Sequence, residues 1–309
     1  MGVNIFVIIV TYNGSQWYQR CFDSLRSSSI PLQVVIVDNA SKDLTVQFIK
    51  ENYPEFILLE SDRNFGFGKA NNLGIHYALE HDADYVFLLN QDAWLTSSDT
   101  IEQLIQIHNT NQQYGILSPM HITAEETGIE KLLLNRLDDF RVTDARLFED
   151  LYFGRLQKVY GTQYVNAASW LISRKVLDMV GGFDPLFFHY GEDDNYLNRV
   201  FYHGFKVGIC PIARIVHDTD RPRKLYDERE DEILWLIEYS NINASIDLHR
   251  ELRSYFFRTT TSLLKLRKNR ARDCWTRFMF LKQNRKAIEK SRTENKKTGR
   301  TWVNKIKNK

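Results

Sequence analysis

Residues 5–14 read IFVIIVTYNG, six apolar residues followed by a polar, turn-forming end. No polar residue interrupts the run, which is typical of a strand covered on both faces, so we predict a strand over Asn4–Val10. Similar runs lie at Gln33–Val37, Phe56–Leu59 and Asp84–Leu89, separated by apolar residues with helical spacing. Because alternating strands and helices predict βαβ units, we expect an α/β fold with a Rossmann-like, mostly parallel sheet and flanking helices.

The pattern becomes mixed after Tyr114. The stretch 124–160 is polar and shows no period, so we predict an irregular insertion there. Beyond residue 220 apolar stripes with helical spacing return, which predicts a helical C-terminal extension. We therefore divide the chain into a domain over 1–220, with halves 1–113 and 114–220, and an extension over 221–309. Other predicted elements are strands at Gly115–Met120, Tyr164–Ile172 and Lys206–Cys210 and a helix at Asp193–His203.

Charge is distributed unevenly along the 309 residues, although the formal net charge is only +2. Residues 253–309 carry 19 Lys and Arg against 3 Asp and Glu, while the rest of the chain carries 22 against 36. A basic block of this kind is typical of contact with a polyanion. Its many aromatic residues favour an anionic membrane surface over nucleic acid as the partner. The last fifteen or so residues, rich in Lys and Asn, are predicted to fray.

The composition indicates in which compartment the protein is expected to function. The apolar runs are too short to span a bilayer, and no signal peptide precedes the first strand. Cys21, Cys210 and Cys274 lie far apart, which favours a reducing compartment and argues against a disulfide framework or a zinc site. We expect a cytoplasmic protein that is peripheral on the inner membrane leaflet if its tail binds lipid.

Polar side chains follow three of the predicted strands. Thr11 follows the first strand, Asp38 follows the second, and Asn90-Gln91-Asp92 follows the run that ends at Leu89. Because the carboxyl ends of parallel strands meet at one edge of a sheet, these side chains are expected to share a ligand site. Asp38 alone would be explained as a helix cap. Two carboxylates at one edge instead indicate a nucleotide site, with Asp38 accepting hydrogen bonds from a base and Asp92 facing a cation.

The segment Arg63–Asn72 opens the next predicted helix. Gly66 and Gly68 would let a phosphate approach the backbone at the helix N-terminus. The segment does not match the dinucleotide-binding fingerprint, because Asn71 stands where the third glycine belongs and the candidate acid Asp38 precedes the loop. The sequence contains no P-loop pattern either.

An acidic cluster, Glu192-Asp193-Asp194, follows an aromatic loop that contains Phe188 and Tyr190. Acids at a helix start often only stabilise the helix dipole. Here the aromatic side chains would form an apolar wall beside which a carboxylate keeps a useful basic pKa. Further along, His217 follows a strand-like run. A lone histidine is usually structural, but together with Asp92 it would complete a metal site.

In their order along the chain, five motifs resemble those of the family 2 glycosyltransferases, which are inverting enzymes of the GT-A fold. The resemblance covers about residues 3–220, and its finer features are similar to those of rhamnosyl- and galactofuranosyltransferases. The motifs are Val7–Gly14 with Asp38–Ser41, Arg63–Asn72, Asn90–Asp92, Gly181–Asp184 and Glu192–Arg199.

The resemblance implies a role for each matched residue. Asp193 would be the catalytic base, with Asp194 as the one-residue alternative, and Asp92 with His217 would bind Mg²⁺ or Mn²⁺. Asn90 and Asn195 each stand where the family usually has an Asp. The donor-binding residues would be Thr11, Tyr12, Asn13, Asp38, Asn39, Arg63, Asn64, Gly66, Gly68, Asn71, Asn90 and Gln91. The acceptor-side residues would be Trp170, Phe188, Tyr190, Glu192 and Asp194.

The implied function is transfer of one sugar from a UDP-, dTDP- or GDP-linked donor to a hydroxyl of a glycan or lipid-linked acceptor, in the synthesis of cell-surface polysaccharide. The Q-x-x-R-W motif of processive members is not in the sequence, so a non-processive enzyme is expected. Three alternatives stay open: a nucleic-acid-binding protein that uses its basic tail, a sugar-phosphate nucleotidyltransferase, and a catalytically inactive sugar-nucleotide-binding module. Asn90 and Asn195 keep the last alternative open.

Overall fold

The computed structural model describes residues 2–137, 146–219 and 230–303. Its strands within these ranges are β1 (Ile5–Thr11), β2 (Gln33–Asp38), β3 (Ile57–Glu60), β4 (Tyr85–Leu89), β5 (Ala93–Leu95), β6 (Tyr114–Ile122), β7 (Tyr160–Thr162), β8 (Ser169–Ser173) and β9 (Lys206–His217). They form one sheet in the order β3-β2-β1-β4-β8-β6-β9-β5, with β7 paired to β9.

Helices cover both faces of this sheet and continue into the C-terminal region. They are α1 (Tyr18–Arg26), α2 (Thr45–Asn52), α3 (Phe67–Glu80), α4 (Thr100–Thr110), α5 (Lys131–Leu137), α6 (Arg146–Tyr152), α7 (Arg174–Val180), α8 (Glu192–Tyr202), α9 (Glu230–Ser240), α10 (Leu248–Leu264) and α11 (Lys268–Asn295). Within the described residues, no helix combines the length and the apolar character that crossing a bilayer requires.

Strand β1 shows why the apolar runs lack polar alternation. Its side chains enter two separate core clusters: Phe6 and Ile8 pack into one, and Ile5, Val7 and Ile9 pack into the other. Since successive side chains of a strand point to opposite faces, both faces of the sheet are covered. The α/β fold and the helical C-terminal region predicted from the sequence are therefore confirmed.

The sheet is parallel in its first half and mixed in its second. β1 pairs in parallel with β2 and β4, and β2 pairs in parallel with β3, so the predicted Rossmann-like arrangement is present. In contrast, β8 is antiparallel to both β4 and β6, and β9 is parallel to β6 but antiparallel to β5 and β7. The prediction of a mostly parallel sheet thus applies only to the first four strands.

The predicted irregular insertion at 124–160 contains regular structure. Helices α5 and α6 lie in it, and each buries a leucine in the core, Leu133 and Leu147. Helices this short hold too few apolar residues to reveal a period, which is why the sequence did not show them. Residues 138–145 of the insertion lie outside the described residues. The predicted strand at Tyr164–Ile172 begins later, at Ser169, with a separate short strand, β7, before it.

The end of α11 and the residues after it pack against the segment Gly181–Asp184. Asp184 Oδ2 accepts hydrogen bonds from Ser291 Oγ (2.6 Å) and Asn295 Nδ2 (2.7 Å). The amide of Gly182 donates to the carbonyl of Thr301 (2.8 Å). Trp302 and Val303 are buried, so the predicted fraying is wrong as far as Val303. Residues 304–309, and the predicted boundary between 220 and 221, lie outside the described residues.

Asn72 fixes the same motif from the other side. Its side-chain amide donates to the carbonyl of Phe183 (2.8 Å), and its Oδ1 accepts from the amide of Phe183 (2.7 Å). All of these groups are buried, so losing the asparagine would leave two backbone groups without partners. Asn72 therefore determines how the loop that begins at Phe183 sits against α3.

We expect Asn72→Ala to lower the free energy of unfolding by roughly 2–4 kcal/mol, because each unsatisfied buried backbone group costs about 1–3 kcal/mol. Asn71→Ala is the matched control. Asn71 is equally buried, but its amide donates only to the carbonyl of Phe67 within α3. Urea denaturation of both variants measures the difference, and equal losses would show that the contact with Phe183 is not what stabilises the loop.

Candidate active site

The ends of β1 and β2 place Thr11 beside Asp38. These residues are paired in the sheet register, and Thr11 Oγ1 donates to Asp38 Oδ1 (3.1 Å). Asp38 Oδ2 accepts from the amide of Ser41 (3.0 Å). Both side chains are almost fully buried. The pairing expected from the strand ends is present, and each carboxylate oxygen keeps one further lone pair that a ligand could use.

Several residues predicted to bind a donor also hold the surrounding loops together. Gln91 Oε1 accepts from the amide of Tyr12 (2.9 Å), and Gln91 Nε2 donates to the carbonyl of Tyr12 (3.3 Å). Asn13 Oδ1 accepts from the amide of Lys42 (2.7 Å). Asn39 Oδ1 accepts from the amide of Phe65 (2.8 Å), which ties the loop after β3 to the end of β2.

Two donor candidates have side chains that reach solvent. The ring of Tyr12 is 43% exposed. Arg63 is also exposed, and its guanidinium lies over the ring of Phe65, 5.1 Å from its centroid. Asn64 Oδ1 accepts from the amide of Gly66 (2.8 Å) and so shapes the turn that carries Arg63. Arg63 is therefore an exposed cation in the loop after β3.

The two glycines have a packing role that the sequence did not indicate. Gly66 has a φ of 80°, and a Cβ there would collide with the backbone carbonyl of Phe188. A Cβ on Gly68 would lie 2.9 Å from Cβ of Phe183. These glycines thus let the loop 183–188 approach the start of α3. From the sequence we expected a phosphate, not a protein loop, to come close to the backbone here. Asn71 is buried within α3 and is not brought to the site.

Asp92 and His217 meet although 125 positions separate them in the chain. The antiparallel register of β5 and β9 places Ala93 opposite His217, and Asp92 Oδ1 lies 3.5 Å from His217 Nε2. Asn90 Nδ2 is 3.4 Å from the same nitrogen, and Asn90 Oδ1 is a buried oxygen without a partner among the described residues. A carboxylate, an imidazole nitrogen and a spare amide oxygen form a donor set that fits a divalent cation.

Two further buried residues, Glu130 and His121, lie close to the ring of His217, and the sequence analysis missed both. Glu130 is fully buried, and its Oε1 is 4.0 Å from His217 Nδ1. His121 stacks edge-on against His217, and burial together with that neighbour holds the pKa of His121 well below its ordinary value. Both flank a short hairpin in which Ile122 bridges to Ile129. Since this hairpin lies at the start of the supposed irregular insertion, no periodicity marked either residue.

The acidic cluster begins α8, directly after Gly191, which adopts the left-handed conformation. Asp193 Oδ2 accepts from the hydroxyl of Tyr164 (2.9 Å), a partner the sequence did not indicate. Glu192 is only 6% exposed, and burial, then the charges of Asp193 and Asp194, raises its pKa to about 8. Glu192 therefore holds its proton at neutral pH, and Asp193 and Asp194 are the more accessible acids of the cluster.

The predicted acceptor-side aromatic residues divide into two groups. Phe188 and Tyr190 are 61% and 52% exposed and lie in the loop that leads into the acidic cluster. Trp170 is fully buried in β8 and stacks on Phe183 at 6.1 Å between ring centroids. Trp170 is therefore a core residue, because the side chains of β8 are covered on both faces of the sheet, and the expectation that it faces an acceptor is wrong.

Comparisons with known proteins agree with the family resemblance seen in the sequence. The family model "Glycosyl transferase family 2" matches residues 6–180. The dTDP-rhamnosyl transferase RfbF of Shigella flexneri is 24% identical, over 87% of this chain and 82% of its own length. The N-acetylglucosaminyl-diphospho-decaprenol L-rhamnosyltransferase of Mycobacterium tuberculosis is 27% identical, over 68% of this chain and 75% of its own.

Solved structures support the fold. Residues 1–349 of S. aureus TarS match 98% of this chain with a TM-score of 0.59 at 16% identity, and the match covers 90% of that fragment. In a second TarS structure the chain matches only 44% of the length. The mannosyltransferase PcManGT of Pyrobaculum calidifontis, solved with GDP-Man and Mn²⁺, matches 77% of this chain and 61% of its own, with a TM-score of 0.52 at 20% identity.

Glu192 should make stability depend on pH. Between its ordinary value of 4.5 and about 8, the folded chain keeps a proton on Glu192 that the unfolded chain releases, so stability falls as pH rises through this interval. Glu192→Gln removes this titration. We expect its free energy of unfolding to fall less steeply from about pH 5 to pH 8, by up to about 1.4 kcal/mol per pH unit.

Urea denaturation across this pH range measures the slope. Glu80→Gln, which removes an exposed carboxylate at the end of α3, is the control and should leave the slope of the wild-type chain unchanged. If Glu192→Gln and Glu80→Gln gave the same slope, the proton assigned to Glu192 would be wrong.

Proposed function

The chain belongs to glycosyl transferase family 2, and from that premise we propose that it transfers L-rhamnose, with inversion, from a dTDP-linked donor to a hydroxyl of a lipid-linked glycan. The family makes it a nucleotide-sugar glycosyltransferase of polysaccharide biosynthesis. The sugar, the nucleotide and the acceptor are the proposed part, supported by the names of the rhamnosyltransferases it resembles. The observation that carries the proposal is the meeting of Asp92 and His217 at the end of β4.

The donor would bind along the edge formed by β1, β2 and β4. Asp38 would accept hydrogen bonds from the base, with Tyr12 beside it, and the Arg63 guanidinium would pair with the diphosphate. Asp92 and His217 would hold a divalent cation, Mg²⁺ or Mn²⁺, assisted by Asn90. Such a cation supplies positive charge that stabilises the leaving nucleoside diphosphate.

The acceptor would bind on the opposite side, against Phe188 and Tyr190. Inversion requires the acceptor hydroxyl to attack the anomeric carbon from the face opposite the leaving group. Asp193 is proposed to accept the proton of that hydroxyl, and Tyr164 orients the carboxylate through its hydrogen bond to Oδ2. General-base assistance of this kind typically contributes about 10²–10⁴-fold in rate.

An inactive sugar-nucleotide-binding module is the alternative that Asn90 and Asn195 keep open. Asn195 does not support it, because its side chain is 2% exposed and donates to Ser240 of α9 (3.3 Å). An acid at this position would be buried against α9 and would not reach an acceptor. Asn90 lies beside His217 through its amide nitrogen, and its Oδ1 is a buried oxygen without a partner among the described residues, so an oxygen ligand remains at this position. An enzyme is therefore the better supported proposal.

The turn between α10 and α11 carries an exposed apolar surface. Leu264 and Leu266 are 85% and 83% exposed. A spacing of seven residues places Phe256 on the same stripe of α10 as Leu263, and Phe257 on the same stripe as Leu264. We call this surface the hairpin tip and define it by its exposed apolar residues, which are Phe256, Phe257, Leu263, Leu264, Leu266 and Trp275.

We propose that the hairpin tip docks on a bilayer that contains anionic lipid. Residues 253–272 include seven Lys and Arg and no Asp or Glu. Each basic residue near an anionic leaflet contributes about 1 kcal/mol, and the exposed leucines would enter the headgroup region. The same charges disfavour pairing with the tip of a second copy, because like charges would face each other. Docking of this kind would bring the site to a lipid-linked acceptor.

We expect Asp193→Asn to bind dTDP-rhamnose with nearly unchanged affinity but to lose transfer by about 10²-fold or more, because the amide keeps the shape and cannot accept the proton. Asp194→Asn is the matched control and should retain most of the activity. Calorimetry measures donor binding, and product analysis with a lipid-linked glycan measures transfer. Loss of transfer in Asp194→Asn alone would move the base by one residue. Turnover of UDP- or GDP-sugars alone would refute the proposed donor.

The double variant Leu264→Ser, Leu266→Ser should bind vesicles that contain anionic lipid about tenfold or more weakly, since burying a leucine side chain contributes about 1.5–3 kcal/mol when complete. Leu44→Ser removes a leucine that is 68% exposed on the catalytic part and should bind as the wild-type chain does. Sedimentation with vesicles of rising phosphatidylglycerol content measures binding. Equal binding by all three chains would refute docking through the tip, and binding to RNA but not to vesicles would favour the nucleic-acid alternative.

A further inference from the structure

His217 has a carboxylate on each side of its ring. Its Nε2 is 3.5 Å from Asp92 Oδ1, at the proposed cation site, and its Nδ1 is 4.0 Å from Glu130 Oε1. The ring is 7% exposed and the Glu130 side chain is fully buried. Neither His217 Nδ1 nor Glu130 Oε1 has a hydrogen-bond partner among the described residues. Two buried polar atoms, one a potential donor and one an acceptor, therefore face each other.

The contacts of His217 indicate which ring nitrogen carries the proton. The side-chain amide nitrogen of Asn90 lies 3.4 Å from Nε2 and can only donate, so this contact favours Nε2 as the acceptor. A neutral imidazole with Nε2 as acceptor carries its proton on Nδ1, the nitrogen that faces Glu130. This tautomer leaves the Nε2 lone pair free to bind a cation beside Asp92.

Glu130 is itself held in one orientation. Its Oε2 accepts from the amide of Leu133 (3.1 Å) and from Asn166 Nδ2 (3.5 Å). With Oε2 fixed by these donors, Oε1 is directed toward His217. A carboxylate that receives the second N–H of a metal-binding histidine fixes both the tautomer and the plane of the ring.

We propose that Glu130 is a positioning residue that keeps the proton of His217 on Nδ1 and thereby presents Nε2 to the cation held with Asp92. The proposal rests on the proposed cation site, and it adds a residue whose side chain does not reach that site. His121 lines the same buried space, with its Nε2 anchored by Ser118 Oγ (3.2 Å) and Ser169 Oγ (3.1 Å).

The same three residues also have the spacing of a metal cluster, since one ligand atom from each of His121, Glu130 and His217 lies within 4.8 Å of the others. Two geometric reasons favour a proton on His217 Nδ1, facing Glu130, over a metal ion bound among these three residues. The separation of 4.0 Å between Nδ1 and Oε1 needs a shift of about 1 Å to become a hydrogen bond. A metal bound there would take up Nδ1 of the ring whose Nε2 faces Asp92, so one imidazole would have to serve two ions.

Glu130→Gln tests the proposal because the structure fixes how the new amide must lie. The donors on the Oε2 side require the amide oxygen there, so the NH₂ group would face His217 Nδ1. Nδ1 would then have to accept, and the proton would move to Nε2, where it blocks the cation. Glu130→Met, which removes the acceptor without adding a donor, is the second variant in case the glutamine chain does not fold.

The readout is the tautomer of His217 in chains labelled with ¹⁵N-histidine, observed by long-range ¹H–¹⁵N spectra without any metal. The chain has eight histidines, and His217→Gln identifies which signal belongs to His217. We expect an Nδ1–H tautomer in the wild-type chain, an Nε2–H tautomer in Glu130→Gln and a mixture in Glu130→Met. The matched control is Asp150→Asn, a buried carboxylate that accepts from Tyr160 and should leave the tautomer unchanged.

Calorimetric titration with Mn²⁺ in the presence of dTDP gives the second readout. Glu130→Gln should weaken Mn²⁺ binding by about 10–100-fold, while Asp150→Asn should not. An Nε2–H tautomer in the wild-type chain, or an unchanged tautomer in both Glu130 variants, would overturn the proposal. So would one equivalent of zinc that purifies with the wild-type chain and is lost in Glu130→Gln. Unchanged Mn²⁺ binding in Asp92→Asn would instead refute the cation site itself, which separates the two failures.

Discussion

The parallel pairing of β1 between β2 and β4 is the constraint on which the site depends. It aligns the carboxyl ends of three strands, so Thr11, Asp38 and the residues after Leu89 emerge at one edge of the sheet. Because both faces of these strands are buried, a slip in register by one residue would move each side chain into the opposite core cluster, where it would not pack, so the alignment is strongly specified. Residues from later in the chain, such as His217 and the loop after Phe183, then pack against this edge of the sheet.

The residues near a strand end could be predicted from the sequence, while their partners could not. Thr11, Asp38 and Asp92 follow apolar runs whose pattern already marks them. His217 meets Asp92 only because β9 returns antiparallel to β5, and Tyr164 meets Asp193 only through the fold of the second half. Such pairings depend on long-range topology, which leaves no local signal. Glu130 is the clearest case, since the segment after it has no period and its function depends on a ring 87 positions away.

Several polar residues that the sequence suggests as ligands form hydrogen bonds within the loops around the site. Gln91, Asn39 and Asn13 use their side chains to hold backbone groups of neighbouring loops. A loop at a strand end carries amides and carbonyls that no sheet satisfies, so the side chains beside it must supply partners. Asn72 likewise bonds the backbone of Phe183, and Gly66 and Gly68 leave space for the loop 183–188. Residues that shape a site and residues that bind in it are therefore equally polar, and only the geometry separates them.

The basic extension connects this site to the proposed membrane contact through a single element. Helix α11 begins at the hairpin tip and ends where Ser291 and Asn295 hold Asp184. Its 28 residues span about 42 Å at 1.5 Å per residue. Because its last turn is tied to the loop after Phe183, the tip cannot move freely relative to the acceptor side of the site. If the hairpin tip docks on a bilayer as proposed, α11 would therefore also fix how the loop after Phe183 is held relative to that bilayer.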